Sequence, residues 1–167
     1  SGDNFIYMAI RRGPMTVATA ASDVFRVTHA GSYTSGFRFR SLVGPVDMAI
    51  NREFHNTSDP HIASRITGAT RGRTDSTDPY YADSDFIWDN QRDFHGSPST
   101  NSSDLAWMWK RAPGFFDVVA YEGTGVGNRL LNHNLGVAPE MIWIKARDTT
   151  GDNGWVVYHK DYPSKAF

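Results

Sequence analysis

Phe5-Ile6-Tyr7-Met8-Ala9-Ile10-Arg11-Arg12 returns later in the chain as Leu105-Ala106-Trp107-Met108-Trp109-Lys110-Arg111. Tyr7 corresponds to Trp107 and Met8 to Met108, so the two segments lie 100 residues apart. A period of this length indicates a tandem domain rather than a short solenoid repeat. Serial copies of one module usually serve building or binding, and only sometimes catalysis.

Two further landmarks follow each copy in the same order. Phe25 corresponds to Phe116, 91 residues later, and Pro45 corresponds to Pro139, 94 residues later. In both copies an isoleucine stands five residues after the proline. The offsets differ by a few residues, as loops of unequal length between matched strands would produce.

The repeat predicts three parts. Residues 1–12 are expected to form the last strand of a preceding β unit, and residues 13–112 a complete β-sandwich unit with long polar loops at 68–104. Residues 113–167 are expected to form the first half of a following, truncated unit. We therefore expect the chain to be a fragment of a longer protein.

Composition excludes several kinds of partner. The net charge is −1, with 17 basic and 18 acidic residues, so no bulk field attracts nucleic acid or an anionic membrane. No apolar run approaches the length of a membrane-spanning helix, so no membrane insertion is expected. The absence of cysteine rules out disulfides and thiolate metal ligands within the chain.

The chain is predicted to be all-β. Helix-forming residues are scarce, with three glutamates, four lysines and five leucines, whereas turn-forming residues are abundant. Short apolar segments rich in β-branched and aromatic residues predict strands between turns. The segments are 5–10, 24–28, 37–40, 46–50, 116–121, 141–145 and 155–158. Such spacing is typical of tandem antiparallel β-sandwich units of the jelly-roll or concanavalin-like kind.

Few residues point to chemistry. Asp83, Asp85 and Asp89 have oxygen-ligand spacing that suits calcium, although the EF-hand pattern is absent and solvated loop aspartates are the simpler interpretation. Asp47 and Glu140 lie on corresponding strands, but no local motif makes them a glycosidase pair. The glycines at 123, 125 and 127 lack the following helix of a nucleotide site. No catalytic residue, metal site or cofactor is predicted, and the chain is not expected to be an enzyme.

Aromatic side chains are the candidates for ligand contact. Trp107 and Trp109 share one face of a strand, where core or subunit-interface packing is the favoured role and a ligand platform the alternative. Tyr80, Tyr81 and Trp88 lie in the polar loop region and are the candidates for glycan contact.

Four segments together resemble repeats in large virion proteins of marine bacteriophages: residues 1–12, 107–121, 133–141 and 155–160. The resemblance implies a component of the tail or tail fibres of a tailed phage, built from lectin-like sandwich domains in series. It implies a virion location after assembly in the host cytoplasm, with homo-oligomers, other virion proteins and a host-surface glycan as partners. It supplies no catalytic residues.

The leading hypothesis is thus a structural segment of a phage virion that contributes to host-surface attachment. The alternatives are a carbohydrate-binding module of a larger protein and a fragment of a polysaccharide depolymerase. Glycan binding lost on mutation of Tyr80 or Tyr81 would favour the first alternative. Sugar release abolished by one Asp→Asn change would favour the second.

Overall fold

The computed structural model describes residues 17–29, 38–40, 44–55, 57–88, 93–95, 104–148 and 154–162. Within these residues the chain is all-β, and its helical structure consists of two single 3₁₀ turns, Ala21–Asp23 and Arg65–Thr67. The predicted strand at residues 5–10 lies outside the described residues. The expected all-β class is confirmed.

Ten strands are described, and most are short. In chain order they are Phe25–His29 (β1), Arg38–Arg40 (β2), Met48–Glu53 (β3), His61–Ser64 (β4), Thr70–Arg73 (β5), Tyr81–Ala82 (β6), Asp93–His95 (β7), Asp104–Trp109 (β8), Met141–Ile144 (β9) and Val156–His159 (β10).

Six of the strands form one antiparallel sheet in the order β1-β8-β3-β4-β5-β6. Strand β8 lies between β1 and β3, although it follows both by more than fifty residues in the sequence. Its register places Met108 opposite Ala49 and Trp107 opposite Ile50. Two separate two-stranded ribbons, β2–β7 and β9–β10, accompany this central sheet.

One face of the central sheet forms the core. Along β8 the buried residues alternate with half-buried ones, and Ala106 and Met108 are almost fully buried. Ala49 and Ala63 lie on the same face, since cross-strand neighbours point the same way. These small side chains leave room above the sheet, and two aromatic residues from the loop after β6, Phe86 and Trp88, pack into it.

The other face of β8 carries the two tryptophans. Trp107 and Trp109 are half-buried, so the alternation predicted for this strand is confirmed while the fully buried side is the opposite one. Trp109 contacts Phe25 with ring centroids 5.1 Å apart and Phe116 with centroids 6.1 Å apart. Aromatic contacts of this kind add stability beyond buried area.

The prediction of a strand at residues 116–121 is wrong. Phe116 makes one isolated bridge to Ala112, and the following residues are irregular. The reason is local: the amide of Ala112 donates to the carbonyl of Phe116 at 2.9 Å, which closes a tight turn. Asp117 then accepts from Arg111 and from the Asn134 amide, so the chain is held by side-chain bonds instead of a ladder.

The ribbon β9–β10 repeats the pairing geometry of β3–β4. Ile50 pairs with Ile62 in the first hairpin, and Ile144 pairs with Val156 in the second. Both members of the first pair are thus 94 residues before the members of the second, the offset that also separates Pro45 from Pro139. The same shift carries His61 onto Trp155.

Candidate functional site

The far edge of the central sheet holds an arginine in an aromatic setting. Arg71 on β5 pairs with Asp83, with Nε and Oδ2 2.7 Å apart, and both side chains are largely buried. Its guanidinium lies 5.0 Å from the ring centroid of Tyr81 and 5.3 Å from that of Phe86. A guanidinium flanked by two rings and a carboxylate is fixed in place by charge and by cation–π attraction.

Asp83, the first of the calcium candidates, makes its contacts within the protein. The Oδ2 of Asp83 faces Arg71, and its Oδ1 accepts the backbone amide of Asp85 at 3.0 Å. Asp85 is exposed, and Asp89 lies outside the described residues. Among the residues that the structure describes, no three histidine or acidic side chains are grouped so that they could hold a metal ion.

The three glycan candidates lie in different environments. Trp88 is 6 % exposed, and its indole nitrogen donates to the carbonyl of Gly68 at 3.2 Å. Tyr80 packs over Gly72, and burial raises its pKa to about 12. Tyr81 is 37 % exposed, and the Arg71 guanidinium lies over its ring, 5.0 Å from the centroid. The structure therefore does not bring the three rings into one flat exposed platform.

A cleft of about 410 Å³ opens beside this cluster. Its walls are Arg65, Gly68, Ala69, Ser84 and residues 86–88. Arg65 lies over the Trp88 ring at 5.7 Å and donates from Nη1 to the Trp88 carbonyl, which fixes one wall. Aromatic walls with a few polar groups are typical of small-ligand sites.

His61 lies under the same aromatic cluster. Its ring meets Phe86 edge to face, with centroids 6.4 Å apart. Burial, together with the nearby charges of Arg71 and Arg73, lowers the pKa of His61 to about 4. The imidazole is accordingly neutral at physiological pH, so the cluster carries no additional positive charge there.

The two carboxylates considered for glycoside hydrolysis, Asp47 and Glu140, each contact a different part of the chain. Asp47 is buried and accepts the backbone amide of Arg111 at 2.7 Å, with Arg65 3.9 Å away. Glu140 is exposed and pairs with Lys160 at 2.7 Å, a contact that lowers the pKa of the glutamate. Each carboxylate is therefore bonded to a different neighbouring group.

The sequence analysis did not identify a second surface, which is formed by β9 and β10. Residues 141–144 and 156–158, here called the apolar hairpin, carry only apolar or aromatic side chains, and each is between 37 and 49 % exposed. Successive residues of a strand point to opposite faces, so both faces of this hairpin are apolar and partly exposed. Patches of this kind mark interaction sites. The signal was present in the sequence, because an unbroken apolar run predicts a strand covered on both faces.

The apolar hairpin is fastened to the central sheet at its base. The Trp155 indole donates to the carbonyl of Arg73 at 2.9 Å, and the Tyr80 amide donates to the carbonyl of Arg147 at 2.7 Å. Lys145 donates from Nζ to the carbonyl of Ser76 at 3.1 Å. All three acceptors or donors on the sheet side belong to the β5–β6 region, so the hairpin extends from that edge of the molecule.

The part of the chain that contains the apolar hairpin matches a known protein family. A family model for a domain of unknown function, DUF7483, matches residues 82–166, just over half of the chain. The chain belongs to the DUF7483 family. The DUF7483 segment contains β7, β8 and the apolar hairpin, whereas β1 and β3, the two neighbours of β8 in the sheet, precede it.

No curated protein and no solved structure matches the chain. No helix among the described residues is long and apolar enough to cross a membrane.

Proposed function

We propose that this chain is a structural component of a tailed-phage virion, in the tail or its fibres, and that it acts through tandem β-sandwich units and not through catalysis. The observation that carries the proposal is the apolar hairpin, whose exposed surface is of the kind that subunits cover in an assembly. In this role the chain forms homo-oligomers and contacts other virion proteins, and its location is the virion after assembly in the host cytoplasm.

Two further observations support the tandem units. The 94-residue shift that relates Pro45 to Pro139 also relates the cross-strand pair Ile50–Ile62 to Ile144–Val156. Register is strongly specified wherever a sheet face is buried, so two hairpins that share spacing and register are expected from copies of one module. The resemblance of residues 107–121 and 133–141 to repeats of marine phage virion proteins connects the module to a virion.

The experiment is to localise the chain on particles. Antibodies raised against the purified chain are used for immunogold labelling of phage particles whose genome encodes this sequence, with particles from an unrelated phage as the control. Labelling confined to tails or fibres supports the proposal. Particles free of both label and peptides of this chain in mass spectra contradict it.

A carbohydrate-binding role is the second candidate, favoured by exposed Tyr81 and by the adjacent cleft. Aromatic rings stack on sugar faces, and Arg71 lies over one face of the Tyr81 ring, so a sugar would stack on the opposite face. A glycan array probed with the wild-type chain and with Tyr81→Ala tests the idea. Tyr162→Ala is the matched control, since Tyr162 is also exposed but lies away from the cleft lining. Glycan signal unaffected by Tyr81→Ala removes this candidate.

A further inference from the structure

The loop between β5 and β6, residues 74–80, is here called the docking loop, because the base of the apolar hairpin lies against it. The Trp155 indole donates to the carbonyl of Arg73, immediately before the loop. Lys145 donates to the carbonyl of Ser76 within the loop, and its Nζ lies 6.0 Å from the centroid of the Trp155 ring. All four residues are half-buried, so these bonds are partly shielded from water.

The contact involves the ends of both hairpin strands. Beyond β9, the carbonyl of Arg147 accepts the Tyr80 amide at 2.7 Å, and the Arg147 guanidinium lies 5.9 Å from the centroid of the Tyr80 ring. Before β10, a Cβ built on Gly154 would lie 3.9 Å from the Cγ2 of Thr77, an ordinary van der Waals distance. Hydrogen bonds, cation–π contacts and main-chain packing thus meet at one loop.

The matching hairpin, β3–β4, does not carry the same groups. A shift of 94 residues carries the three hairpin side chains of the contact, Lys145, Arg147 and Trp155, onto Asn51, Glu53 and His61. Two cations and an indole are replaced by an amide, a carboxylate and an imidazole. The His61 ring contacts Phe86 of its own unit, with centroids 6.4 Å apart. The contact with the docking loop is therefore specific to the second hairpin.

We infer that the docking loop is a directional joint between successive units, which receives the hairpin of the following unit through an indole donor and two cations. Neighbouring units move relative to each other unless a contact holds them, and a two-stranded hairpin is marginal in water by itself. The joint supplies both the fixed orientation and part of the stability of the hairpin. The inference rests on the tandem units of the proposed function and not on the virion location.

The family boundary separates the two sides of this joint. The DUF7483 segment, residues 82–166, contains the apolar hairpin but begins after the docking loop. The hairpin of the family segment is thus held by residues that precede the segment.

Hydrogen exchange of the full chain, measured by mass spectrometry, tests the joint. Trp155→Phe keeps an aromatic ring but removes the N–H that binds the carbonyl of Arg73. We expect the amides of β9 and β10 to exchange about two- to tenfold faster, and those of β3 and β8 to keep their rates. Trp143→Phe is the matched control, because the Trp143 indole contacts Met141 within the hairpin, and exchange should be nearly unchanged.

A triple variant tests the specificity of the joint. Lys145→Asn, Arg147→Glu and Trp155→His together give the second hairpin the residues of the first, and they should accelerate exchange of β9 and β10 more than Trp155→Phe does. Acceleration confined to these two strands supports the joint. Unchanged exchange of the hairpin overturns it. Equal acceleration throughout the central sheet also overturns it, because the hairpin would then be part of one cooperative fold.

A disulfide across the joint gives a second measurement, since the chain has no cysteine of its own. Thr77→Cys with Gly154→Cys places two thiols where the loop meets the start of β10. We expect mild oxidation to link them within one chain and to restore slow exchange of the hairpin in a Trp155→Phe background. Failure to form the link, or fast exchange in the linked protein, overturns the inference.

Failure of the joint and failure of the virion proposal are distinguishable. Absence of the chain from phage particles would contradict the virion proposal and leave the exchange results unchanged. Unchanged hairpin exchange in the triple variant would contradict the joint and leave the particle labelling unchanged.

Discussion

Gly72 lies under the ring of Tyr80, and this contact gives a sharp test of how the hairpin base is built. A Cβ added at Gly72 would lie 2.4 Å from Cε2 of Tyr80, 2.7 Å from Cδ2 and 2.9 Å from Cζ. Ordinary carbon contacts are about 3.5–4.0 Å, so the ring would have to move by about 1 Å. We expect Gly72→Ala to lower the free energy of unfolding by about 1–3 kcal/mol, measured by urea denaturation.

The cost must come from the ring and not from the glycine backbone. Gly72 does not have a positive φ, so alanine fits its backbone, and in a Tyr80→Ala background Gly72→Ala should be neutral or stabilising by about 0.4–1 kcal/mol. Gly123→Ala is the matched control, because a Cβ added there would have no atom within 4 Å and the change should be close to neutral. A Gly72→Ala cost that is the same with and without the Tyr80 ring would refute the reasoning.

Three other outcomes follow from core packing and charge. Met108→Ala, at a residue 1 % exposed, should lower the free energy of unfolding by about 2–5 kcal/mol in urea titrations, and by more than Trp107→Ala at the half-buried position beside it. The free energy of unfolding should be highest above pH 6.5 and should fall by about 1–2 kcal/mol between pH 6.5 and 4, because the pKa of His61 is about 4 in the folded chain and His61 of the unfolded chain is protonated at higher pH. His61→Gln should flatten this part of the pH profile of stability, and an unchanged profile would contradict the prediction. Asp117→Asn should cost about 2–4 kcal/mol by thermal or urea unfolding, because burial would raise the pKa of Asp117 yet bonds from Asn134 and Arg111 hold it below its usual range; an Asp148→Asn control at an exposed site should be nearly silent.

Local alternation predicted the strands that carry it. The segments 24–28, 46–50, 141–145 and 155–158 were expected as strands, and β1, β3, β9 and β10 are found there within a few residues. β4 was missed because His61–Ser64 has a single strong β-former and no alternation. The position of β8 between β1 and β3 could not be predicted, since pairing over such a separation leaves no local pattern.

The site was harder to predict than the fold. Residues 68–104 were expected to be long polar loops, yet the described part of this segment contains three short strands, β5, β6 and β7. Trp88 was a candidate for glycan contact, yet it packs in the core, because Ala49 and Ala63 leave a space that a loop tryptophan fills. Trp88 is far in the sequence from Ala49 and Ala63, so their packing could not be predicted without the strand register that places the two alanines side by side.

The same register explains why the apolar hairpin requires more cover than its counterpart. With a shift of 94 residues, Ala49 corresponds to Trp143 and Ala63 to Val157, so the positions that are small in β3 and β4 are large in β9 and β10. In the central sheet those alanines are covered by Phe86 and Trp88 from a loop. In the apolar hairpin the larger side chains Trp143 and Val157 are 44 % and 37 % exposed, so the positions that are covered as alanines in the central sheet remain partly open as larger apolar residues.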